Sequence, residues 1–141
     1  MKCKLFIVAQ TLIVDFQSKR VSAINILEDF KTANFPFPLP MALIIVLEKE
    51  GETETEVPLF LQINVDSLPI IRDYKINIYL PLEAITIKSI TNLGAIIIPG
   101  SGKLSFSIND STGKVYGEYS INIVGDMAEN SATSSTQSTA R

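Results

Sequence analysis

Apolar and polar residues alternate through most of this chain, and that period of two restricts the fold more than any other feature. Across residues 103–108, Leu104, Phe106 and Ile108 alternate with Lys103, Ser105 and Ser107. Successive side chains of a strand point to opposite faces, so this stretch reads as a half-buried β-strand with Phe106 inward. The same alternation recurs at 59–65, where Leu61, Ile63 and Val65 face inward, and at 75–80, where Ile76, Ile78 and Leu80 do. Residues 116–124 place Tyr119, Ile121 and Ile123 on one face.

Residues 41–47 are apolar at every position, which marks a central strand covered on both sides. The first strand, 3–14, is also read as buried on both faces, with a turn at 15–19 supported by Asp15 and Ser18. Residues 21–27 form the second strand, and 28–33 are read as one helical turn. The alternate prolines of Phe35-Pro36-Phe37-Pro38-Leu39-Pro40 lack backbone donors, so this segment is expected to be an extended connection over a sheet edge. The segment around Ile85, Ile87 and Ile90 and the run 95–98 are read as two short strands. Asp110-Ser111-Thr112-Gly113 makes a hairpin with Gly113 at a position needing positive φ.

Eight or nine short strands with turn signals every 8–12 residues predict an all-β, immunoglobulin-like antiparallel β-sandwich. The chain has 141 residues, 46% of them apolar, which suits one domain with a real core. The expected division is a sandwich over 1–124 and a disordered Ser/Thr-rich tail over 125–141.

Composition excludes chemistry more firmly than it assigns any. The chain has no histidine, which removes the commonest general base and the commonest metal ligand. The single cysteine, Cys3, has no partner for an intramolecular disulfide and is read as half-buried near an edge, which suits a reducing cytoplasm. The net charge of −3 comes from Glu48, Glu50, Glu52, Glu54 and Glu56 against Lys49, and the rest is close to neutral. Without a basic stripe, nucleic acid is not an expected partner. The apolar run 5–14 is interrupted by Gln10 and Thr11, is too short to span a bilayer and has no small-residue cleavage site after it, so neither a signal peptide nor a membrane span is expected.

Three stretches are similar to an uncharacterised bacterial family of small single-domain β-sandwich proteins. They are Ser22-Ala23-Ile24-Asn25-Ile26-Leu27 followed by Phe35-Pro36, the two-sided strand 42–48, and Pro99-Gly100-Ser101-Gly102-Lys103-Leu104-Ser105-Phe106-Ser107-Ile108. In the last of these Leu104 stands where the family usually has an aromatic residue. The resemblance covers about residues 4–124; it implies the sandwich fold and carries no activity and no catalytic residue.

Few constellations could bear chemistry. The glutamates of 48–56 are spaced to diverge along one strand face, and the segment is read as a charged hairpin, not a Ca²⁺ site. Pro99-Gly100-Ser101-Gly102 precedes a strand and so lacks the helix N-terminus of a phosphate loop. Ser18-Lys19 and Lys88-Ser89 are strand neighbours that point apart, which argues against a Ser-Lys dyad. Asn25 is either inward and hydrogen-bonded to backbone or outward on its strand. Tyr74, Tyr79 and Tyr116 are the candidate partner or ligand contacts.

No catalytic, metal or cofactor residue is therefore assigned. The expected function is a cytoplasmic, non-enzymatic binding or structural module acting through protein–protein contacts, self-association included. The alternative is a carbohydrate or small-ligand module using a tyrosine-bearing face, and an enzyme is the least favoured reading. A contiguous apolar patch or an unprotected strand edge would favour a protein partner.

Overall fold

The computed structural model describes residues 1–53 and 56–125. Nine strands occupy that range: β1 (Lys2–Val14), β2 (Val21–Ile26), β3 (Asp29–Thr32), β4 (Phe37–Glu48), β5 (Glu56–Val65), β6 (Leu68–Tyr79), β7 (Thr86–Ile98), β8 (Gly102–Asn109) and β9 (Val115–Gly125). They form two sheets, ordered β2-β1-β4-β7 and β3-β9-β8-β5-β6. Among the described residues there is no helix, and so none long and apolar enough to cross a membrane.

The inward rows of both sheets make one core. Leu39, Met41, Leu43, Ile45 and Leu47 come from β4, and Leu61, Ile63, Leu104, Phe106, Ile108, Ile121 and Ile123 from the larger sheet. The alternation of β8 is realised as expected: Leu104, Phe106 and Ile108 are buried while Ser105 and Ser107 line up with Asn64 and Gln62 on the outer face. Gly117 faces inward on β9, where a Cβ would lie 2.9 Å from the Phe6 ring; its missing side chain makes room for the Phe6–Tyr119 stack. β4 is central, as its two-sided apolarity requires, between β1 and β7.

Several expectations need correction. Residues 28–33 form no helical turn: Asp29–Thr32 is a short strand, paired in parallel with β9, so the sheets are not antiparallel throughout. Only Phe35 and Pro36 of the proline segment belong to a connection; from Phe37 on it is the start of β4, and Leu39 in it is fully buried. Pro38 and Pro40 are tolerated because β1 pairs with β4 only as far as Ala42, so that stretch has a partner on one side alone, β7. Residues 48–56 are no hairpin, since β4 and β5 belong to different sheets. The two short strands expected at 85–98 are one strand, with a bulge at Leu93 where Gly94 takes φ +68° and shifts the alternation by one. Ile85 lies before that strand and is exposed. Gly125 ends β9, opposite Thr32, and is not tail; the rest of the expected tail lies outside the described residues.

β1 is not buried on both faces. It pairs with β4 up to Ala9 and with β2 from Ala9 to Val14, and Ile13 and Val14 are about half exposed. The β1–β2 hairpin forms an arm that leaves the sheet and folds back over it. Lys88 on β7 donates from Nζ to the carbonyl of Lys19 at the hairpin tip, at 3.3 Å. In a flat sheet those residues would stand roughly 30 Å apart at about 3.3 Å per residue. The fold-back accounts for the burial of Ala9, Ala42 and Ile44, which lie on outward rows of β1 and β4. Asn25 sits near the bend with φ +55°, exposed, its amide donating to Gln10 Oε1 at 3.0 Å. That decides its orientation: outward.

Candidate functional site

Four strands end the two sheets, and three of them are blunted. β2 has six residues and carries the left-handed Asn25. β3 has four residues. β6 is long, but it contains Pro69, Arg72, Lys75 and Asp73, the last at φ +53° with its carboxylate accepting from Gln62 Nε2 at 2.7 Å. Proline, charge and a left-handed kink each discourage a further strand from pairing. β7 differs. It runs for thirteen residues with one charge, Lys88, and no proline, and its left-handed residue is Gly94 at the Leu93 bulge, so its regular part is Thr86 to Asn92. It is hydrogen-bonded to β4 alone, so its other side presents unpaired N–H and C=O groups.

The surroundings of β7 are apolar. Ile90 and Ile97 project from its outward row, Leu5 lies two strands away, and the arm that crosses it exposes Ile13, Val14, Ile24 and Ile26. Between arm and sheet runs a groove of about 320 Å³, with Thr11 and Leu12 on one side and Pro40, Ala42, Ile90 and Asn92 on the other. Asn92 Oδ1 accepts from Gly94 N at 2.9 Å and fixes the bulge. The middle of the outer face of the larger sheet is polar instead, with Gln62, Asn64, Lys103, Ser105, Ser107, Glu118 and Ser120, while Phe60 and Tyr79 lie on the same face.

The three tyrosines do not converge. Tyr74 stands opposite Leu61, on the inner row at the rim of the sandwich, whereas Tyr79 stands opposite Glu56 on the outer row. The two therefore point to opposite faces and do not share one platform. Tyr116 lies elsewhere, in a cavity of about 410 Å³ with Met1, Glu52 and Asp110, and its hydroxyl donates to Asp110 Oδ2 at 3.0 Å. Burial, then that carboxylate, raises its pKa.

The carboxylates of this cavity already have partners. Asp110 Oδ1 accepts from Thr112 Oγ1 at 2.6 Å, Thr112 N at 2.9 Å and Lys114 N at 3.0 Å. These bonds, the Thr112 hydroxyl first, hold its pKa down at about 2. Asp110 closes the β8–β9 turn, in which Gly113 has the expected positive φ of +90°. Glu52 is engaged by the Met1 amino group and by Glu50 N, and Glu48 pairs with Lys4 at 3.1 Å. Glu50 also approaches the Met1 amino group, at 3.7 Å, so Glu50 and Glu52 converge on one cation and do not diverge as expected; Glu54 lies outside the described residues. No group of three or more histidine, cysteine or acidic residues among those described is placed to hold a metal ion. Cys3 is half-buried, and burial raises its pKa, which disfavours the reactive thiolate. Lys88 and Ser89 point to opposite faces, and Ser18 Oγ accepts from Arg20 N, not from a lysine.

The residues that matter at the β7 edge, Lys88, Ser89 and Ile90, carry a signal in the sequence: thirteen residues with a single charge. Their position at a sheet edge is set by strand order, which local pattern does not encode. No family model, no curated protein and no solved structure matches this chain.

Proposed function

We propose that this chain is a non-enzymatic binding module that works through protein–protein contacts made on the β7 side of its four-stranded sheet. The observation that carries the reading is the open edge of β7 beside the exposed isoleucines of the arm. An extended segment added to such an edge gains main-chain hydrogen bonds, and neighbouring apolar side chains supply specificity. Side chains suited to acid–base or nucleophilic catalysis are not gathered there. A cytoplasmic setting belongs to the same proposal, on the strength of the lone cysteine.

The test is affinity purification of the full chain from its own host. A variant with Ile24→Asp and Ile97→Asp is compared with a control carrying Asn77→Asp and Ser120→Asp on the other sheet. Wild type and control should retain the same proteins, further copies of this chain included, and the first variant should lose them. Identical recovery by all three forms would sink the reading.

A further inference from the structure

We propose that the β1–β2 hairpin, residues 10–26, is a hinged cover that swings off the four-stranded sheet as one piece while the rest of the sandwich stays folded. Burial changes abruptly at its root. Val8, Ala9 and Leu27 are buried, yet no residue from Gln10 to Ile26 is. The hairpin therefore gives no buried side chain to the core, and lifting it leaves the core intact.

Hydrogen bonding divides at the same place. β1 pairs with β4 up to Ala9, and from there to Val14 its ladder is with β2 alone. The bond from Leu27 N to the Val8 carbonyl, 2.9 Å, closes the root. Beyond the root the hairpin pairs its own backbone, so it can turn without breaking the β1–β4 ladder. Asn25 stands at the root in the left-handed region, φ +55°, and its amide holds Gln10 Oε1 on the other strand at 3.0 Å. The two strands are thus tied to each other where they leave the sheet. One or two residues of this kind can absorb the dihedral change of a hinge.

The far end is held lightly. Among the described residues, the bond from Lys88 Nζ to the Lys19 carbonyl, 3.3 Å, is the only side-chain hydrogen bond between the hairpin and the rest of the molecule. Its half-buried apolar side chains are Leu12, Val21 and Ala23. A groove of about 320 Å³ remains between it and the sheet. Protein interiors leave few voids larger than a water molecule, so this contact is looser than the core. A segment with few buried apolar contacts opens locally at less cost than the whole chain unfolds. Beneath it lie Ala42 and Ile44, 4% and 7% exposed on the outward row of β4, with Ile90 beside them on β7. The hairpin thereby sets how much apolar surface the β7 side presents, and its swing does not depend on the docking proposed above.

Thiol labelling of the full chain with dithionitrobenzoate measures the swing. In a Cys3→Ser background, Ile44→Cys puts a thiol beneath the hairpin and Ile63→Cys puts one in the core, where Ile63 is fully buried. Ala42→Cys repeats the first measurement at a second position, in case Ile44→Cys folds poorly. The thiol under the hairpin should react about tenfold faster than the core thiol, or more. Its rate should change little in low urea, whereas that of the core thiol should climb steeply, because urea sensitivity scales with the surface an opening exposes. Joining Lys19→Cys to Lys88→Cys with a short bis-maleimide before labelling pins the tip to β7. That tether should slow the thiol at residue 44 about tenfold.

Equal rates at residues 44 and 63, with equal urea dependence, would mean that the hairpin leaves the sheet only when the whole chain unfolds, and that result overturns the cover. Fast labelling that the tether does not slow overturns it as well, since some other movement then exposes the row. Neither result touches the β7 docking surface, which stands or falls by its own purification experiment.

Discussion

β6 and β7 are the long free edges of the two sheets, twelve and thirteen residues, and they are built on opposite principles. β6 carries a proline, three charges and a left-handed residue along its length. β7 carries one lysine among isoleucines, threonines and serine, no proline, and a left-handed glycine at its bulge. The outer faces differ in degree: serine, asparagine and glutamine hold the middle of the sheet that β6 bounds, with Phe60 and Tyr79 on the same face, and isoleucine, valine and alanine dominate the one that β7 bounds. Exposed edges template unwanted pairing, and natural sheets blunt them. The contrast between β6 and the charge-poor β7 supports the proposal that β7 is the edge to which a partner adds.

The comparison presumes that both edges hang on one core, and the largest expected effect tests that premise. Phe106 is 1% exposed and packs edge-on against Tyr119, with ring centroids 6.2 Å apart. Phe106→Ala should cost about 3–5 kcal/mol in urea unfolding through lost transfer energy and the cavity left behind. That is a large share of a typical stability of about 5–15 kcal/mol. Ser107→Thr, next to it but outward, should change stability by less than about 0.5 kcal/mol. The reverse order of effects would mean that inner and outer rows have been exchanged.

That register was readable from the residues because Leu104, Phe106 and Ile108 declare it locally. The turn at Asp110 and Gly113 was readable for the same reason. What escaped reading depends on distant partners. Asp29–Thr32 is too short to show a period, and it is a strand only because β9 lies alongside. Pro38 and Pro40 obey the rule against proline in central strands, but the half-open stretch of β4 that admits them arises where β1 turns away at Ala42. One bulge at Leu93 made a single strand look like two. The candidate site was legible as composition, in the charge-poor run of β7, and illegible as position. The tyrosines stood out as a residue type, yet Tyr74 and Tyr79 are an odd number of residues apart on one strand, which sends them to opposite faces.

A second, smaller effect bears on how β6 is protected. Asp73 holds φ +53°, a conformation that Asp tolerates and a β-branched residue does not, and its carboxylate accepts from Gln62. Asp73→Val should cost about 1–2 kcal/mol per chain, because it adds left-handed strain and removes the hydrogen bond. If Asp73→Val unfolds at the same urea concentration as the parent, the kink is not held by this residue, and the contrast with β7 reduces to charge and proline alone. Asp73→Gly should lie much closer to the parent, since glycine adopts the same backbone at little steric cost.

The smallest effect lies inside the five-stranded sheet, away from both edges, and it separates turn chemistry from edge chemistry. The Asp110 carboxylate ties the β8–β9 turn through Thr112, Lys114 and Tyr116, and its pKa in the folded chain is about 2. An unfolded aspartate titrates near 3.9. A folded value below the unfolded one means that the ionised form favours folding, so this contribution is fully present above about pH 4 and is lost as the pH falls towards 2. Urea midpoints of the parent and of Asp110→Asn should therefore differ by a constant amount above pH 4 and converge between 4 and 2. A difference that widens below pH 4 would reverse the sign of the linkage and remove Asp110 as the residue that holds the turn.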